Sequence, residues 1–159
     1  MALSYLVAVH GGWRWMRKEL ACGLIFSAGT TLSLLTHEGV VLSALPGWFW
    51  VAALLFVRLC GWNCLTIANL ESSADAAHDA MAASQRSPGW LRHLTWGLAS
   101  GLMLSLLCYA WSGLWLFLAM ALGWLGLLSL ARPRWQSGDW PRVAADACLL
   151  APLVWLLWA

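Results

Sequence analysis

Glu71, Asp75 and Asp79 stand four residues apart in "NLESSADAAHDAMAASQRSPG", residues 69–89 of a chain that carries few other charges. On a helix, residues four apart drift by only about 40°, so Asn63, Ile67, Glu71, Asp75 and Asp79 form one row. Like charges at this spacing repel by a few tenths of a kcal/mol per pair. A cation would relieve that repulsion. Mg²⁺ fits the donor set, because it is commonly held by one or two carboxylates together with phosphate oxygens. Zn²⁺ would need a second histidine near His78, and this helix offers none at ligand spacing. The competing reading is a solvated helix end whose acids keep a loop in water. Spacing alone leaves both open.

Other residues could add to such a site. Arg58 lies mid-way along an apolar run, where an arginine facing lipid costs at least about 2.5 kcal/mol. It is therefore expected to face the bundle interior or water, and to pair with Asp146 or with an acid on a partner chain. Asn63, one turn further along, is a second candidate interior polar group. Arg142 precedes Asp146 by one turn, so a local ion pair is the default for those two. Arg14, Arg17 and Lys18 read as topology anchors or as diphosphate contacts. Cys60 and Cys64 read as packing residues rather than metal ligands. In "SGDWPR", Asp139 is a candidate N-cap with Pro141 in the first turn, a structural role.

The elements that must position these residues follow from composition. The chain has 159 residues, is 62% hydrophobic and only 10% charged, and has a mean hydropathy of +0.72. A soluble domain usually carries about 25% charged residues. A shortfall this large points to a lipid bilayer as the main solvent. A span needs roughly 20 apolar residues. Five fit, at about 19–36, 46–70, 91–110, 113–131 and 141–158, with a hairpin break at "AWSGLW" between the third and fourth. The expected fold is all-α: a single polytopic transmembrane domain over residues 1–159.

The lysines and arginines before the first span, between the second and third, and between the fourth and fifth fall on one side of this layout. That side is the cytoplasm, so the protein is expected in the inner (plasma) membrane with the acid-rich segment 69–92 facing the cytoplasm. The opening "MALSYLVAVHGG", residues 1–12, is too short to cross and lacks a signal-peptide pattern. It reads as the end of a truncated helix. Trp13, Trp15, Trp48, Trp90, Trp111, Trp135 and Trp140 lie near span ends, as an interfacial aromatic belt does. No nucleotide-binding, nucleic-acid or nucleophile-triad motif is present, and "HGGW" is too short for a phosphate loop.

The stretches "RKELACGLIFSAGT", "RLCGWNCLTIANLESSADAAHD" and "RVAADACLLAPL" resemble the C-terminal half of the UbiA superfamily of membrane prenyltransferases, in a divergent bacterial branch. The resemblance covers nearly the whole chain and about half of that nine-helix fold. It implies that the five spans correspond to the last five helices. It implies that Glu71, Asp75 and Asp79 form the second of two acidic motifs binding Mg²⁺ and a prenyl diphosphate. Lys18 matches the basic residue at the mouth of the fifth helix, and Arg86 the one that follows the acidic motif.

The implied reaction is prenyl transfer to an aromatic or similar acceptor, with a carbocation stabilised by interior tryptophans such as Trp62. The chain departs from the pattern in three places. Arg14 stands where an aromatic residue is usual, Glu71 replaces an aspartate, and there is no first acidic motif. Activity would therefore need a complementary N-terminal half or another membrane subunit. The alternative is a non-catalytic small membrane protein that packs with membrane partners. A weaker third reading is an ion carrier using the acids with Arg58.

Overall fold

The computed structural model describes residues 18–37, 42–72, 93–131 and 140–152. They form five α-helices: α1 (Lys18–His37), α2 (Gly47–Leu70), α3 (Leu94–Ser112), α4 (Trp115–Leu130) and α5 (Trp140–Cys148), with a short 3-10 turn at Leu42–Ala44. Among the described residues there is no strand, so the all-α expectation holds. Two helices, α2 and α3, are long and apolar enough to cross a membrane by length and composition. Two further apolar stretches, Ala21–Leu32 within α1 and Trp115–Leu130, are shorter.

Helix boundaries follow local chemistry. Pro46 precedes α2 in an extended conformation (φ −68°, ψ 153°), and its carbonyl accepts from Phe49 N at 2.9 Å. Proline suits a helix start because its missing N–H would have no intrahelical partner there. The break expected in "AWSGLW" falls at Gly113 and Leu114. Gly113 takes the left-handed conformation at φ 65°, and its N–H donates to Tyr109 O at 2.6 Å. Glycine pays no Cβ penalty for that conformation.

The fifth span differs from expectation. The apolar run predicts a helix over 141–158, but α5 ends at Cys148. Leu149 N and Leu150 N donate to Asp146 O and Ala147 O, both at 3.0 Å, in tightened i→i−3 bonds. The cause is Pro152, which cannot donate to the Cys148 carbonyl and whose ring would clash with it. Residues 153–159 lie outside the described part.

Helices consecutive in the chain run antiparallel, whereas α2 and α4 run parallel, Leu59 lying against Gly123 and Ala52 and Leu55 against Phe117 and Met120. Gly23 of α1 meets Gly61 of α2, and Trp62 and Arg58 of α2 meet Gly97 and Ser100 of α3. Trp124 of α4 lies against Gly101 of α3, and Asp146 of α5 meets Asn63 of α2. α2 touches all four other helices, whereas α1 packs chiefly on α2. The main core joins Leu59, Leu65, Leu98, Trp124, Leu127 and Ala145. A second cluster of Ala52, Leu55, Phe117 and Met120 lies toward the other end of α2.

Close packing relies on small residues facing large ones or backbone. A Cβ on Gly23 would sit 2.7 Å from Gly61 Cα, so α1 and α2 cross backbone to backbone. The Trp124 indole fills the space left by Gly101 and is fully buried, while Trp62 covers Gly97. By contrast Trp48, Trp111 and Trp140, expected at span ends, are exposed.

Candidate functional site

Between α1, α2 and α5 lies an open cleft of about 1000 Å³. Its walls are apolar, with Ile25, Phe26, Ile67, Val143, Leu149 and Leu150 among them. α2 contributes Cys60, Asn63, Cys64 and Ile67, which recur every three or four residues and so share one face. α1 contributes Cys22 and Gly23, and α5 contributes Asp146.

The polar centre of the cleft is Asn63. It is 2% exposed, and its Nδ2 donates to Asp146 Oδ1 at 3.2 Å. Its Oδ1 is buried and has no hydrogen-bond partner. The orientation of the amide is fixed by chemistry: an ionised carboxylate only accepts, so the nitrogen must face Asp146. Ser105 Oγ and Trp124 Nε1 are also buried without a partner, but they line no part of the cleft.

At one end of the cleft, one turn beyond Ile67, α2 stops. Glu71 leaves the helix (φ −93°, ψ 8°) while its N–H still donates to Ile67 O at 2.9 Å. Its Oε1 lies 3.2 Å from Arg142 Nη1, with both side chains part-exposed at 37% and 61%. Arg142 adjoins the cleft residue Val143. Lys18 opens α1 at this same end, because α1 runs antiparallel to α2.

Of the residues singled out from sequence, the structure brings Asn63 and Glu71 onto one side of α2, as the four-residue row requires. Asp75, Asp79, His78 and Arg86 lie outside the described residues. Among those described, no group of three or more His, Cys, Asp or Glu is placed to hold a metal ion. All five cysteines are thiols.

Three pairings differ from expectation. Arg142 bridges to Glu71 rather than to Asp146, and Asp146 accepts from Asn63 instead. The α2–α5 packing turns Arg142 and Asp146 toward α2, so contacts between the helices displace the pair within α5. Arg58 meets neither Asp146 nor the interior. It is exposed on the α3 side and donates through Nη2 to Ser100 Oγ at 2.6 Å. Residues 58 and 63 are about 140° apart on the helix, so one cannot reach the cleft that the other lines. The same geometry turns Trp62 onto Gly97 and away from the cleft.

Asp146 and Arg142 are the functional candidates that sequence reading assigned elsewhere. Their signal was present, since an acid inside an apolar run needs a partner, but the partner lay on another helix. Comparison with family models, curated proteins and solved structures gives no match to this chain.

Proposed function

We propose that the chain is a five-span protein of the inner membrane, related to the C-terminal half of UbiA-type prenyltransferases. Its acidic segment, on the cytoplasmic side, would receive the Mg²⁺-bound diphosphate of an isoprenyl donor. The observation that carries this reading is the Glu71–Arg142 pair at the end of a large apolar cleft. An acid and a guanidinium at that point suit a metal diphosphate, and the apolar walls suit a hydrocarbon chain.

In this reading Glu71, with Asp75 and Asp79, holds the metal. Mg²⁺ supplies neutralisation of the diphosphate charge when bound. Lys18 and Arg86 add positive charge, and Arg142 joins them as a residue able to grip a phosphate with two parallel hydrogen bonds. Prenyl transfer would follow only with a complementary N-terminal half, which brings the other acidic motif. The test is Mg²⁺-dependent binding of a prenyl diphosphate to the purified chain in detergent. Binding is expected for the native chain and not for Asp75→Asn/Asp79→Asn. Equal binding by both, or by neither, rejects the reading.

One observation favours the second reading, a non-catalytic membrane protein that acts by packing with partners. Arg58 is the twelfth of 24 residues in α2 and is exposed. In a helix about 36 Å long, its charge lies some 18 Å from either end, beyond the reach of its side chain. A partner helix covering it would remove the cost of lipid exposure. Loss of a co-purifying membrane protein in Arg58→Leu, with no effect of replacing the three acids, would select this reading.

A further inference from the structure

We infer that the face formed by α2 and α3 around Arg58 is the docking site for a membrane helix of a different protein, one that carries an aspartate or glutamate near the middle of its span. The inference rests on the membrane placement that both readings above share, and it gives the partner of the second reading its chemistry.

Two helical rows build the face. Val51, Leu54 and Arg58 recur at steps of three and four on α2, and Ser100, Met103 and Leu107 do so on α3. All six are exposed. The Arg58–Ser100 hydrogen bond joins the two antiparallel rows side by side. Lipid chains suit Val51, Leu54, Met103 and Leu107, so these residues alone call for no partner. Arg58 is the exception. Among the described residues its guanidinium meets the Ser100 hydroxyl, which spends its own proton on Gly97 O at 2.8 Å. A hydroxyl takes one of five N–H donors and none of the charge. A carboxylate accepts two of those donors at once and neutralises the charge.

That carboxylate has to come from another protein. In residues 47–70 and 94–112, the whole of α2 and α3, Arg58 is the one charged residue. Glu71 is bridged to Arg142, and Asp146 lies on another side of α2, against Asn63. A second copy docked by the same face about a two-fold axis brings arginine toward arginine and supplies no acid. A helix with one acid at the depth of Arg58 supplies what the face lacks, and its apolar remainder packs on the four apolar side chains.

The probe is a dansyl-labelled leucine–alanine peptide long enough to span, about 20 residues, with Asp, Asn, Lys or Leu at its centre. The full chain and the peptide are reconstituted at high dilution in phosphatidylcholine vesicles. Binding is read as energy transfer from the tryptophans of the chain to dansyl. The Asp peptide is expected to bind about tenfold or more tightly than the Asn or Leu peptide, the ratio that a hydrogen bond to a charged group confers. The Lys peptide should bind no better than the Leu peptide. Arg58→Leu should abolish the preference, and Arg58→Lys should keep part of it, because lysine retains the charge without the fork. A benzoylphenylalanine photo-crosslinker in place of Leu54 or Met103 should capture the Asp peptide, and one in place of Leu125 on α4 should not.

Equal binding of the Asp and Leu peptides, or of the Asp and Asn peptides, overturns the inference, and that comparison stands on the native chain even if a variant misfolds. An Asp preference that survives in Arg58→Leu overturns it too. Self-association of the native chain that both Arg58→Leu and Asp146→Asn abolish makes the occupant a second copy, and likewise overturns it. The depth of position 58 is read separately, by alkylating Arg58→Cys, with the native cysteines replaced by alanine, in nanodiscs with a charged, water-soluble maleimide. Protection there without an Asp preference rejects the docking site and leaves the membrane placement standing, whereas ready alkylation rejects both.

Discussion

α2 is bordered by α3 and α4 on one side and by α1 and α5 on the other, and the two sides are built differently. Toward α3 and α4 the surfaces interlock: Trp124 fills the space over Gly101, Trp62 covers Gly97, and Leu59 and Leu98 are fully buried. Toward α1 and α5, α1 crosses α2 tightly at Gly23 and Gly61 and Ala145 of α5 joins the core, but a cleft opens between the two helices, beside an amide oxygen left unmet. The closed side is a scaffold. The open side holds Asn63, Asp146 and, at its end, Glu71 and Arg142.

This contrast can be broken by substitutions. The largest effect is expected for Trp124→Ala, which empties the closed side and should cost about 3–5 kcal/mol. Thermal unfolding in detergent, followed by circular dichroism, would measure it; a loss below 1 kcal/mol would mean the interlock is not the scaffold. Next comes Gly23→Leu, whose Cβ meets the backbone of Gly61 rather than a movable side chain. Overpacking of this kind costs about 1–3 kcal/mol, and a disulfide-trapping or fluorescence distance between α1 and α2 should lengthen.

Smaller effects sharpen the contrast. Asn63→Leu removes an unmet acceptor, so stability should hold or rise by up to about 1 kcal/mol. A marked fall in the same unfolding assay would show that the amide is structural. The smallest effect is expected for Glu71→Gln. The pair with Arg142 is part-exposed, so its contribution is a few tenths of a kcal/mol. That difference should vanish in 1 M salt, where the screening length is about 3 Å; persistence would mean a dry, buried bridge.

Much of this architecture is legible in the sequence, and the parts that are not share a cause. The apolar runs and their Gly and Pro punctuation set the ends of α1, α2 and α4 to within two residues, and the α3–α4 break falls inside "AWSGLW". The early end of α5 has a local cause as well, because Pro152 has no N–H to give the Cys148 carbonyl. The pairings were less accessible. α2 is apolar nearly all round and meets four helices, so periodicity does not say which side meets which neighbour. Asn63 stood out as a polar residue in an apolar helix, but Asp146 was assigned to Arg142, its partner by local spacing. Only the register between α2 and α5 decides between those two, and that register depends on packing. The fit of Trp124 to Gly101 depends on packing in the same way.

The link between α3 and α4 also constrains how the molecule is assembled over time. Gly113 and Leu114 alone join a 19-residue helix to a 16-residue one. Two residues reach at most about 7 Å, far less than a bilayer is thick. If the two helices cross a bilayer, as proposed above, the end of α3 and the start of α4 arrive at the same membrane face. On that reading the insertion machinery would handle a closed hairpin rather than two independent segments, and recoding the charges near one end of α3 would turn over both helices or neither.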